Sequence, residues 1–183
     1  MKLLHTWTRR LAATLLAAGL SPMAHAYYWT SAGSTGTLDE TTAATDVLPS
    51  QVTMSGPYAT LKSTATLNGL YVIRYNVTDV FDKHYTFTPT LEMRFLDSSD
   101  TTRVQAVLRA YNTATGVLRT VASLDSNSFP ASGAYQTQIS CSTANQWFND
   151  FLKEVYYVEV TMSRSATTGS ASVASLRIDE CVW

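Results

Sequence analysis

From Leu70 to the carboxyl end, apolar and polar residues alternate with a period of two in stretch after stretch. This pattern restricts the chain to half-buried β-strands, because successive side chains of a strand point to opposite faces. Tyr71, Ile73, Tyr75 and Val77 fall on one face of the stretch from Leu70 to Val80, and Arg74, Asn76 and Thr78 on the other. Leu91, Met93 and Phe95 alternate with Glu92 and Arg94, and Val104, Ala106, Leu108 and Ala110 alternate with Arg103, Gln105 and Arg109. The polar run Asp97-Ser98-Ser99-Asp100 between these two stretches predicts a hairpin. Asn112 to Gly116 predicts the next turn, which feeds Val117 to Leu124.

Tyr135, Thr137, Ile139 and Cys141 then alternate with Gln136, Gln138 and Ser140, and strands from Val155 to Met162 and from Val173 to Val182 complete the set. In the last of them Leu176 and Ile178 share a face with Ala174 and Val182, whereas Cys181 has the parity of Ser175, Arg177 and Asp179. A disulfide there ties a strand end outside the core, or a bulge changes the register. Trp147, Phe148, Phe151, Leu152 and Val155 recur instead at helical spacing, and Thr143 with Gln146 fits a capping box, so a short helix is expected near residues 144–152. Seven or eight strands with polar turns predict an all-β antiparallel sandwich of jelly-roll type. Tyr156-Tyr157-Val158-Glu159-Val160-Thr161 and Leu176-Arg177-Ile178-Asp179 resemble segments of the exported jelly-roll modules of carbohydrate-active proteins. That resemblance is one of fold and implies no single family.

The opening residues read differently. Lys2, Arg9 and Arg10 precede an apolar stretch from Leu11 to Leu20, and Ala24 and Ala26 stand where a signal peptidase reads small residues. The expectation is a signal peptide over residues 1–26, cut between Ala26 and Tyr27, leading to the periplasm or the exterior. Ten apolar residues are too few to cross a bilayer, so no integral membrane segment is expected after cleavage. Thr8-Arg9-Arg10 resembles a twin-arginine start, but Ala12 and Ala13 depart from it. Residues 27–57 are rich in Thr, Ser and Gly and read as an extended arm with room for a short strand in Gln51 to Ser55, and residues 58–183 read as a single β-sandwich domain. Cleavage removes three of thirteen basic residues and none of fourteen acidic ones. The resulting acidic balance, without any Lys or Arg cluster, argues against nucleic acid as a partner. The two cysteines, Cys141 and Cys181, allow one intramolecular disulfide in an oxidising compartment.

Most catalytic chemistries find no residues here. Of three histidines only His84 lies beyond the expected cleavage site, so a histidine zinc centre is not expected, and no Gly-x-Ser-x-Gly elbow or phosphate-binding Gly-rich loop is present. No metal and no cofactor is therefore expected. Asp97-Ser98-Ser99-Asp100 and Asp125-Ser126-Asn127 offer hard oxygen ligands of the kind calcium takes, or equally the self-bonded Asp and Asn of ordinary turns. Glycoside cleavage needs two carboxylates across one cleft, for which Glu92 and Glu159 are the strand-borne candidates. A lyase would need Tyr157 and Arg94 together. A binding surface needs ring faces for sugar C–H groups, and Tyr111, which shares its face with Arg103, Gln105 and Arg109, is the tyrosine expected to be exposed. The ligand-binding candidates are thus Tyr111, Arg109, Glu92, Arg94, Tyr157 and Glu159, with no catalytic residue assigned. The function expected is that of an exported, non-catalytic β-sandwich that binds a glycan or a protein partner. The alternatives are a polysaccharide-cleaving enzyme of jelly-roll type and a structural subunit of a surface appendage or coat.

Overall fold

A computed structural model of the chain describes residues 28–39, 51–78, 88–142 and 150–181. The expected signal peptide with its Ala26 and Tyr27 junction, His84, and residues 144–149 of the expected helix lie outside this set. At the end of the expected helix, residues 151–153 form a turn in which the Lys153 and Glu154 amides donate to the Asp150 carbonyl at 3.1 and 2.8 Å.

Eleven strands run through the described residues: β1 Trp29–Ala32, β2 Thr37–Leu38, β3 Val52–Ser55, β4 Tyr58–Leu61, β5 Leu70–Val77, β6 Pro89–Asp97, β7 Thr102–Asn112, β8 Leu118–Asp125, β9 Ser132–Cys141, β10 Glu154–Arg164 and β11 Ala171–Glu180. They form two antiparallel sheets. One has the order β3-β4-β11-β6-β9, with β1 added beside β11; the other has the order β2-β5-β10-β7-β8. Strands β4 to β11 supply the eight strands of a jelly roll, in four-strand groups β4-β11-β6-β9 and β5-β10-β7-β8. Three short strands beyond the eight expected, β1, β2 and β4, lie between Trp29 and Leu61, where Thr, Ser and Gly mask any alternation.

Alternation does decide what is buried. Tyr71, Ile73, Tyr75 and Val77 from β5, Leu91, Met93 and Phe95 from β6, and Val104, Ala106, Leu108 and Ala110 from β7 all belong to one core. Val158, Val160 and Met162 from β10 and Leu176 and Ile178 from β11 close it. Trp29 of β1 joins them, opposite Ile178. The Tyr75 hydroxyl, deep in this core, donates to the Gly33 carbonyl at 2.6 Å, and burial pushes its pKa well above the ordinary phenol value. Gly33 is itself pressed against β11, since a Cβ there would lie 2.0 Å from the Val173 carbonyl oxygen.

The hairpin expected between Phe95 and Val104 does not form, because β6 belongs to the six-stranded sheet and β7 to the five-stranded one. The polar run between them crosses from sheet to sheet. Asp97 is only 4% exposed and accepts hydrogen bonds from the Thr102 and Ser126 hydroxyls, so the residue read as an exposed turn former anchors a buried crossing. In β9 the register sets Gln136, Gln138 and Ser140 opposite the core residues Phe95, Met93 and Leu91, while Ile139 is 58% exposed.

Cys141 and Cys181 form a disulfide at a Cα separation of 5.8 Å, joining the ends of β9 and β11 where both flank the start of β6. Cys181 is itself buried, at 7% exposure, although neither cysteine joins the core cluster. A bulge does occur in β11, between Val173 and Ser175, but upstream of the cysteine and of Arg177.

Candidate functional site

The water-facing sides of the two sheets hold the six sequence-derived candidates, and the fold divides them. Arg109, Tyr111, Tyr157 and Glu159 come together on the outer face of the five-stranded sheet. Glu92 and Arg94 stand on the outer face of the six-stranded sheet, on the far side of an interior about 10 Å thick. Glu92 and Glu159 therefore do not share a cleft, and neither do Tyr157 and Arg94, so neither pair can act on one glycosidic bond.

On the five-stranded face β10 lies at the centre, between β5 and β7, and register organises the side chains into rows across the strands. Asn76, Tyr157, Arg109 and Thr120 make one row. Arg74, Glu159, Val107 and Ser123 make the row beside it. Glu159 is held between two guanidinium groups, with Arg74 Nε 3.6 Å and Arg109 Nη2 3.5 Å from its oxygens. Arg109 also donates from Nη1 to the Thr120 hydroxyl at 2.7 Å, and Arg74 pairs with Asp39 at 2.6 Å. The Arg74 guanidinium lies 5.9 Å from the centre of the Tyr157 ring. Each arginine in this network is matched by a carboxylate, so the centre of the face is polar but close to neutral.

On the other side of the Tyr157 row the chemistry changes. Val155, Tyr111 and Leu118 stand opposite one another and are 51%, 39% and 51% exposed. An apolar row thus adjoins a hydrogen-bonding row on one continuous surface. Alternation reveals Tyr111 but cannot reveal its exposed apolar neighbours, because Val155 and Leu118 look like core residues in a strand.

The six-stranded face carries tyrosines that were not among the candidates. The rings of Tyr58 and Tyr135 stack 5.1 Å apart and 29° from parallel, and Arg94 lies 5.7 Å from the centre of the Tyr135 ring. Further along β11 the ring of Tyr28 covers the Arg177 guanidinium at 4.5 Å, and Arg177 pairs with Asp179 at 2.5 Å. Glu92 stands opposite Arg177 in the register.

The oxygen-rich turns are engaged with protein partners. Asp125 accepts the Asn127 amide at 3.1 Å and pairs with Arg103, whose side-chain hydrogen bonds hold the Asp125 carboxyl below the usual range against the opposing effect of burial. Asp97 is taken up by the two hydroxyls at the crossing. Among the described residues no group of three His, Cys, Asp or Glu converges as a metal centre, and no helix is long and apolar enough to cross a membrane.

No family model and no curated protein matches the sequence. Among solved structures the chain is similar to a family 30 carbohydrate-binding module, at 15% identity and a TM-score of 0.45 over 84% of this chain and 92% of that one. It is also similar to the xylan-binding module CBM15, at 14% identity and a TM-score of 0.41 over 71% and 84% of the two chains. A third is the family 11 carbohydrate-binding module from Clostridium thermocellum in complex with a β-1,3-1,4-mixed-linked tetrasaccharide, at 9% identity and a TM-score of 0.42 over 88% and 93%.

Proposed function

We propose that this is an exported, non-catalytic protein that binds a neutral glycan on the outer face of its five-stranded sheet. One observation carries the reading: the exposed apolar row of Val155, Tyr111 and Leu118 lies directly beside the hydrogen-bonding row of Asn76, Tyr157, Arg109 and Thr120. A pyranose ring has the same duality, with C–H faces that pack on rings and hydroxyls that need fixed partners. Tyr111 and Tyr157 take the C–H faces in this arrangement, and Arg109 and Glu159, already oriented by each other, meet the hydroxyls. A preformed ion pair loses little conformational freedom on binding, which favours recognition by a rigid sheet over a mobile loop. Among the described residues at the centre of this face Arg74 and Arg109 are each matched by a carboxylate, which disfavours an acidic sugar there. Export is supported by the leader pattern of residues 1–26, and an oxidising destination by the disulfide between Cys141 and Cys181.

Affinity electrophoresis and calorimetry against neutral β-glucans, xylans and galactans test this reading. Tyr111→Ala and Tyr157→Ala are each expected to weaken binding by about fivefold or more, corresponding to about 1 kcal/mol, with the fold intact by circular dichroism. Retention of none of these glycans, or retention unaffected by either substitution, overturns it.

A further inference from the structure

We infer that the outer face of the six-stranded sheet is a second binding site, one that takes a saccharide bearing a carboxylate, as in an oligouronide. It rests on residues of the opposite sheet and stands or falls independently of the neutral-glycan face.

Tyr58 and Tyr135 approach each other from β4 and β9 across the intervening strands β11 and β6. Beneath them Ser172, on the outer side of β11, is wholly buried and is bonded to the Tyr135 hydroxyl at 3.0 Å and to the Thr60 hydroxyl at 2.9 Å. The Tyr135 ring is thereby fixed to the sheet, and Tyr58 stacks on it and keeps 39% of its surface in water. Fixed, exposed rings are what the C–H face of a sugar packs against at little entropic cost.

Arg94 adds the charge. It is exposed, lies beside the Tyr135 ring and donates to the Thr137 hydroxyl at 3.2 Å. Arg74, Arg103, Arg109, Arg119 and Arg177 each have a carboxylate within ion-pair distance. Among the described residues Arg94 and Arg164 have none, and Arg164 is buried and donates to the Ala166 and Lys62 carbonyls, whereas Arg94 is exposed. Glu92, two positions away on the same face, stands opposite Arg177 instead. A guanidinium resting on a ring retains free N–H edges in a plane, the geometry that binds a carboxylate through two parallel hydrogen bonds. A uronic acid unit presents a flat C–H face and a carboxylate on one rigid ring, matching Tyr58, Tyr135 and Arg94 together. An acidic peptide offers the carboxylate without the ring.

The test is calorimetric titration of the full protein with oligogalacturonate, its methyl ester and poly-L-glutamate. Oligogalacturonate is expected to bind at least tenfold more tightly than the ester or the polypeptide. Arg94→Met should abolish that preference, Arg94→Lys should restore only part of it, and Tyr58→Ala should weaken oligogalacturonate and ester alike. Lys153→Met removes the same charge from a distant exposed site and should leave oligogalacturonate binding unchanged. Equal affinity for acid and ester, equal losses in the Arg94 and Lys153 variants, or binding of poly-L-glutamate as tight as that of the uronide would each overturn the assignment. Failure on neutral glycans alone would strike the five-stranded face and leave this site standing.

Discussion

Glu154 receives two hydrogen bonds from Arg119, Nε to Oε1 at 3.0 Å and Nη2 to Oε2 at 2.6 Å, and a third from the Tyr156 hydroxyl at 2.6 Å. The Arg119 bonds hold the carboxyl below its usual range, burial opposing them, while burial first and the bond to Glu154 second push the Tyr156 hydroxyl up to about 12. A carboxyl whose pKa is depressed on folding contributes stability that is present in full above the unfolded value, about 4.3, and is lost as pH falls through the lower folded value. The phenol, raised on folding, contributes below its unfolded value of about 10 and loses that contribution as pH rises towards 12. The urea midpoint is therefore expected to fall below pH 4 and again above pH 10. In Glu154→Gln the acid-side fall should be shallower, and an unchanged slope between pH 5 and pH 2 would contradict the role given to this carboxyl. Parity alone exposes Tyr111, Arg109 and Glu159 at this scale, since each alternates with residues too apolar to face water. Parity could not identify Tyr58, which follows the Gly56-Pro57 turn in a stretch without alternation, or the stack it makes with Tyr135. That contact joins residues far apart in sequence across two other strands.

Among the elements, β1 shows how a short segment joins a core. Trp29 is 6% exposed and stands opposite Ile178, while the Gly33 carbonyl just beyond β1 accepts the buried Tyr75 hydroxyl. Trp29→Ala removes a large buried ring from the cluster and is expected to cost about 3 to 5 kcal/mol, read as a lower urea midpoint with an unchanged slope. A loss under 1 kcal/mol would mean that β1 is an attachment and not part of the core. The longer strands were legible because β5, β6, β7, β10 and β11 each carry three or more alternating apolar residues. Which strand pairs with which was not legible. Asp97-Ser98-Ser99-Asp100 has the composition of a hairpin turn, and only the burial of Asp97 between Thr102 and Ser126 reveals a crossing between sheets. In β9 alternation points the wrong way, since the more apolar side, Tyr135, Thr137, Ile139 and Cys141, faces outward and the pairing with β6 puts Gln136, Gln138 and Ser140 on the core side.

At the scale of the whole molecule, the jelly roll sets the two outer faces back to back with the shared core between them. The residues proposed to bind on one face have no partner in common with those on the other. Substitutions this far apart are expected to combine additively, so the double variant Tyr157→Ala/Arg94→Met should lose neutral-glycan and uronide affinity by the same factors as the two single variants, within about 0.5 kcal/mol. Coupling beyond that, measured by a double-mutant cycle in calorimetry, would mean that the sheets communicate through the core. If both proposed sites bind, two faces so arranged would let one molecule touch two polysaccharide chains at once, and the protein would then carry tension whenever those chains are pulled apart. The disulfide now has a mechanical meaning. It closes a loop of 40 residues between the end of β9 and the end of β11, and that length, on the order of 140 Å when extended, cannot be drawn out while the bond is intact.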